Sequence, residues 1–223
     1  MIVSELTLHL ADFQGLQWAQ HCVAEHHYLH SPVDVRCMPV GYIVQLGDDR
    51  VGTLIFGRPE STKVSGWYGS VEDVADGQCP LTRWQVLNLA RVWLDPAIQS
   101  GGRHYIPNAA TYVVGQSLKR IAYDYLIVRP PVWCEEPYEI RQVLSYCQST
   151  IHQGTIYKAS NFRLVRTNER GIETYARDLR RLTHEERRAI REASRTDQRA
   201  RRLRSERGKV QMQLAMEFDY ANG

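Results

Sequence analysis

The sequence predicts a mixed α/β domain of the α+β kind over residues 1–176, followed by an arginine-rich helical arm and a C-terminal strand over 177–223. Three observations lead there. Residues 84–127 read in succession as a buried strand, a glycine-containing loop and a long amphipathic helix. Short alternating runs on either side of that unit have the two-residue period of further strands. Residues 177–209 hold twelve Arg and one Lys against six acids, while the rest of the chain has fifteen bases against nineteen.

Taken in order, Leu6, Leu8 and Leu10 alternate and predict an opening strand. Asp12 is a suitable N-cap for a helix reaching about Glu25, with Phe13, Leu16, Ala19 and Val23 inward. That helix ends in a crowd of polar rings, His26, His27, Tyr28 and His30, before Pro32. GYIVQL and VGTLIF, joined by Gly47-Asp48-Asp49-Arg50, predict a hairpin. Residues 57–83 read as a long irregular connection, in which Trp67-Tyr68-Gly69 offers either a stacking surface or a loose lid on the core. In the central unit Asp95-Pro96 stops the strand, and Asn108 is expected to cap the helix. Ala110, Val113, Val114, Ser117, Leu118, Ile121, Ala122 and Tyr125 share one face of it. A helix start reached through glycines after a strand suits a phosphate. Beyond Pro130-Pro131, residues 140–147 read as a strand and 152–162 as a loop and strand. Thr183 with Glu186 forms a capping-box pattern, and Val210, Met212, Leu214, Met216 and Phe218 alternate as a final strand would.

Composition narrows the classes. No apolar run approaches the ~20 residues of a bilayer span, so no membrane partner is expected. The N-terminal segment, with Glu5 and Asp12 and no basic stretch, does not read as a signal peptide. Five scattered cysteines without a C-x-x-C pair give neither a disulfide framework nor a structural zinc site, and fit a reducing cytoplasm. The cationic arm points to a polyanion, because arginine suits both bidentate phosphate contact and stacking on bases. Nucleic acid is the expected partner, held by Arg180, Arg181, Arg187, Arg188, Arg191 and Arg195, and the plain alternative is a solvated helix of interleaved charges. Oligomeric state, a homodimer included, stays open.

The order strand, helix, hairpin, buried strand, glycine loop, long helix, strand resembles the N-acyltransferases of the GNAT superfamily. The resemblance implies a mostly antiparallel central sheet flanked by helices, with the loop and helix after the fourth strand cradling the pyrophosphate of a coenzyme A thioester. The loop signature Q/R-x-x-G-x-G/A is met only in degenerate form by Gln99-Ser100-Gly101-Gly102. Three other segments are more specific. EHHYLH at 25–30, VLNLARVWLDP at 86–96 and HQGTIYKASNF at 152–162 together resemble the Mom family of DNA-modification proteins, over about residues 20–165. That resemblance implies an enzyme that converts adenine in phage DNA to N6-carbamoylmethyladenine and so shields it from host restriction, in the host cytoplasm. It also implies iron, associated with the His-Tyr motif, here His27 and Tyr28, and acetyl-CoA or another acyl donor.

Carried over, the catalytic set is His27, Tyr28, Arg91 and Tyr157, and the cofactor set is Gly101, Gly102, Asn108 and Thr111. The family pattern has an acid after Ser145-Tyr146 where this chain has Gln148, and Cys134-Glu135-Glu136 is the nearest substitute source. The residues themselves bear on the same chemistry. Adenine N6 is a poor nucleophile, so an enzyme must hold it close to an electrophile, polarise that electrophile and remove a proton. His27 is suited to proton transfer or to ligating a metal. Tyr28 and Tyr157 are suited to donating to an oxyanion or a leaving group. The plain alternatives are a dipole-facing helix terminus for the histidines, an internal acid partner for Arg91 and a strand aromatic for Tyr157. Lys158, Asn161 and His152 are weaker candidates. An ordinary acetyltransferase acting on a small amine or protein, and a DNA-binding protein without activity, are the rival readings. Methyl transfer from S-adenosylmethionine is disfavoured by the missing early G-x-G.

Overall fold

The computed structural model describes residues 3–59, 81, 83–130 and 139–200. The Trp67-Tyr68-Gly69 loop, Cys134-Glu135-Glu136 and the alternating run at 210–218 lie outside them. The chain divides into two compact units, residues 1–124 with 139–181, and residues 125–138 with 182–223.

In the first unit the strands are β1 (Leu6–Leu10), β2 (Val40–Leu46), β3 (Asp49–Gly57), β4 (Val86–Leu94), β5 (Gln142–Gln148), β6 (Arg163–Thr167) and β7 (Ile172–Asp178). They form one sheet in the order β1-β2-β3-β4-β5-β7-β6. Every pairing is antiparallel except that of β4 with β5. The mostly antiparallel sheet expected from the element order is therefore present. The helices are α1 (Phe13–His26), α2 (Ala109–Val128) and α3 (Thr155–Ala159), and residues 184–200 form α4.

Local chemistry accounts for most of these elements. Asp12 caps α1, its Oδ1 accepting the Gly15 N–H at 2.7 Å. Ala19, Cys22 and Val23 of that helix are buried, but Phe13 is 76% exposed. Phe13 lies well around the helix from that buried face, so its apolarity did not mark the inward side. On α2, Val113, Val114, Ser117, Leu118, Ile121 and Ala122 are buried, as the helical period predicts. Thr183 and Glu186 close a reciprocal capping box at the start of α4, at 2.8 and 3.2 Å.

Three expectations change. The strand of the central unit begins at Val86, and Trp84 lies in a 3-10 turn, 40% exposed. Residues 152–162 hold no strand: Gly154, at φ 64°, opens the short helix α3, and Tyr157 is a helical residue. Asn108 is at the start of α2, but its φ of 59° is left-handed rather than the extended backbone of a side-chain cap. Its carbonyl takes the Tyr112 N–H at 2.9 Å.

Two irregularities position the site. The β3–β4 register runs Ile55↔Arg91 and then Phe56↔Leu89, so Ala90 is a bulge immediately before Arg91. On its other edge β4 pairs with β5 only through Val86↔Gln142, Leu87↔Val143 and Asn88↔Leu144. Beyond Asn88 the two parallel strands part, with the Ser145 hydroxyl donating to Leu89 O at 2.9 Å where they separate.

Candidate functional site

A cleft of about 460 Å³ opens where β4 and β5 part, and a second hollow of about 450 Å³ adjoins it across Tyr28 and Tyr146, which line both. The larger takes His27 and Tyr28 from the end of α1, Trp93 from β4, and Gly154 and Tyr157 from α3 and its approach. Arg91 lines the smaller. The three sequence segments that are far apart in the chain thus meet around one opening.

The rings of His27 and Tyr28 lie 4.5 Å apart, and Tyr28 meets His152 edge-on at 4.7 Å. His26 stacks on Trp93 at 5.1 Å, which fixes the end of α1 against β4. His27 is half-buried. Its Nδ1 accepts the Leu29 N–H at 3.2 Å, so the neutral ring carries its proton on Nε2. Burial, with the Arg91 guanidinium second, lowers its pKa to about 4. At neutral pH His27 is therefore an uncharged N–H donor rather than a free base. Burial also raises the Tyr28 phenol above its ordinary range.

Arg91 donates through Nε to Ser31 O at 3.2 Å, through Nη2 to Ser31 Oγ at 3.1 Å and through Nη1 to Ala90 O at 2.8 Å. Its guanidinium contributes to lowering the His27 pKa and offsets part of the burial-driven rise of the Tyr28 phenol. Tyr157 stacks on Tyr175 at 5.2 Å and meets Phe162 edge-on at 5.7 Å. Burial pushes its phenol up to about 12, opposed by its hydrogen bond with Ser145. Tyr175 is anchored in turn by donating to Glu173 at 2.7 Å. A Cβ on Gly154 would lie 2.4 Å from the Tyr175 hydroxyl, so only glycine lets the chain pass over that ring and turn into α3.

The sequence did not single out Cys147 or Tyr146. Cys147 is buried in the cleft wall, donates from Sγ to His152 O at 3.4 Å, and has its thiol pKa raised by burial, which suits a structural thiol. Tyr146 is 38% exposed, an aromatic face turned outward from a strand otherwise mostly buried. That exposure is the signal, and it is visible only once strand direction is known. Gln148 is tied to Thr150 Oγ1 and Arg170 O, both at 3.1 Å, and takes no acid's place.

The profile of the Mom protein family matches residues 15–221. The chain belongs to the Mom family. No curated protein matches it. Solved structures that it resembles include a Bacillus subtilis acetyltransferase in complex with CoA, at 12% identity and TM-score 0.42, covering 78% of this chain and 99% of that one. Another is the aminoglycoside acetyltransferase AAC(6')-Ib in complex with coenzyme A, at 16% identity and TM-score 0.43, covering 78% and 94%. A third is a putative acetyltransferase from Salmonella typhimurium with acetyl-CoA, at 9% identity and TM-score 0.46, covering 79% and 95%.

The other expected site residues of this Mom-family chain are placed less centrally. Gln99 and Ala110 line the main cleft, whereas Gly101, Gly102 and Asn108 line neither it nor the hollow beside it. Gly102 has its own reason to be glycine: a Cβ there would lie 2.3 Å from both Pro96 O and Ala97 O. Thr111 lines a separate cleft, with Lys119 and Arg177. Iron finds no complete ligand set, since among the described residues no three His, Cys, Asp or Glu side chains gather around a point. His27, moreover, has Nδ1 committed to the backbone. Among the described residues no helix is long and apolar enough to cross a membrane.

In the first unit Arg181 pairs with Glu139 at 3.1 Å, and Arg180 donates to Arg181 O. In the second, Arg188, Arg191 and Arg195 are exposed and Arg187 is half-buried on α4, whose Ile190 and Ser194 are buried. Positions 188, 191, 195 and 199 fall within one quarter-turn of a helix, so these arginines form a solvent-facing stripe.

Proposed function

We propose that this Mom-family protein is a transferase that modifies adenine in double-stranded DNA at N6, and that the product is N6-carbamoylmethyladenine. The observation that carries the reading is the meeting of the three characteristic segments around the opening between β4 and β5. An extended donor can enter where the strands part, while a base turned out of the duplex enters from the other side.

Each side chain has a role in keeping with its protonation. Tyr28, Tyr157 and the His27 Nε2–H are all protonated at neutral pH, and Arg91 adds positive charge beside them. The site is thus a set of donors facing a place where negative charge develops. The adenine N6 lone pair forms the new bond to the donor's electrophilic carbon. The leaving group departs with its bonding pair and is protonated by Tyr157. The proton released from N6 passes to His152, whose ring makes no hydrogen bond among the described residues. A carbamoylmethyl group is joined through a methylene, so an acetyl thioester alone does not supply it. A coenzyme A donor remains the expectation for the strand opening.

Mass spectrometry of nucleosides from DNA co-expressed with the protein tests the reading. A modified deoxyadenosine dependent on Tyr157 supports it. Unmodified DNA from cells making folded wild-type protein would refute it.

A further inference from the structure

A second cleft, of about 330 Å³, lies between α2, the end of α3 and the end of β7, entirely within the first unit. Lys119, Arg177 and Arg180 line it, with Asp178 as its one acid among the described residues. Arg177 also donates to Asn161 O at 3.1 Å, and Asp178 accepts from Gln142 at 2.6 Å, so both are held in place. The Ser160 hydroxyl in its wall is buried and has no partner among the described residues. Gly115 borders it, and a Cβ added there meets nothing within 4 Å, so the helix backbone itself is open to a bound group.

We propose that this cleft seats backbone phosphate of the DNA strand whose base enters the main site, an inference that rests on the function proposed above. Three features favour it. Three cations against one acid attract an anion, and arginine and lysine are the side chains that hold phosphate. Among the described lining residues there is no aromatic, so a nucleobase has nothing to stack on, whereas sugar and phosphate need only polar and cationic contacts. The cleft also draws on the same elements as the catalytic one. Ala110 lines the main cleft and the next residue, Thr111, lines this one, and α3 contributes Tyr157 to the first and Ala159 to the second. Arg177 and Arg180 then begin the run of arginines that continues along the chain into α4.

The test is fluorescence anisotropy of the full-length protein with a duplex oligonucleotide across a salt series, using three proteins. They are wild type, Lys119→Gln with Arg180→Gln, and Gly115→Leu, which fills the cleft and keeps every charge. The double variant is expected to bind about 10-fold more weakly near physiological salt, with a log–log salt slope shallower by about 1 to 2, as neutralising one or two fewer phosphates gives. Gly115→Leu is expected to weaken binding several-fold, with circular dichroism showing it folded. Unchanged affinity and slope in both variants, with wild type binding DNA, would overturn the cleft's role and leave the function standing. Absence of any DNA binding by wild type would defeat the function itself. Adenosine 3',5'-bisphosphate is the third probe: if the variants lose it while holding DNA as wild type does, the cleft serves a nucleotide-bearing donor and the proposal is wrong.

Discussion

Gly154→Ala is the single change that most directly probes how Tyr157 is held. Gly154 has φ 64°, and left-handed backbone costs an L-residue roughly 1–2 kcal/mol. Its new Cβ would also stand 2.4 Å from the Tyr175 hydroxyl and 2.8 Å from that ring's Cζ. Relieving such contacts in a packed interior costs about 1–3 kcal/mol, and loosening the bond from Tyr175 to Glu173 adds about 1 kcal/mol. Together the loss is about 3–6 kcal/mol, or a fall in Tm of roughly 6 °C or more at 2–4 °C per kcal/mol. Gly101→Ala is the control: φ is 85° and nothing lies within 4 Å of its Cβ, so only the backbone term of roughly 1–2 kcal/mol applies. Thermal denaturation followed by circular dichroism measures both, and the DNA-modification assay measures the consequence. Because Tyr157 stacks on Tyr175, Gly154→Ala should also lose most activity at temperatures where it is fully folded. Equal Tm shifts for the two variants, with full activity in both, would refute the packing argument.

Other predictions concern the chemistry. His27 should titrate near 4 by NMR, with its neutral proton on Nε2; a midpoint near 6.5 would contradict its burial beside Arg91. Because the unfolded chain binds that proton at higher pH, stability should fall as pH drops from about 6.5 toward 4, and His27→Gln should flatten the fall. His152→Gln and Tyr157→Phe should each lower the modification rate by about 10²–10⁴-fold, the range for a missing acid or base, while DNA affinity holds. Glutamine at Arg188, Arg191 and Arg195 should reduce the salt slope of DNA binding by about 0.9 for each phosphate no longer neutralised, which the same anisotropy series reads.

Much of the fold was legible because its elements obey simple periods. α2 shows its buried face in Val113, Val114, Ser117, Leu118 and Ile121, and Asp12 and the Thr183–Glu186 box mark where helices begin. β6 and β7 were not anticipated. Their segments, RLVRT and IETYARD, carry charges on both faces, and a tight turn closed by Asn168, whose side chain accepts from Arg170 N and Ile172 N, and by Gly171 at φ 71° joins them. α3 was hidden for a different reason. It is only Thr155–Ala159, too short for a period, and the glycine that opens it is explained by the distant Tyr175 ring. In the candidate site, the sequence could name His27, Tyr28, Arg91 and Tyr157 as candidates but not their states. The tautomer of His27 depends on the backbone N–H of Leu29, and the reach of Arg91 depends on the Ala90 bulge. Neither is a property of the residues named.

The most direct test of the convergence of His27, Tyr28, Arg91 and Tyr157 on one opening is nucleoside mass spectrometry of co-expressed DNA. Wild type should yield deoxyadenosine heavier by a carbamoylmethyl group, and folded Tyr157→Phe should lower its yield by about two orders of magnitude or more. Equal yields from the two proteins, or no modified deoxyadenosine from the wild type, would contradict it.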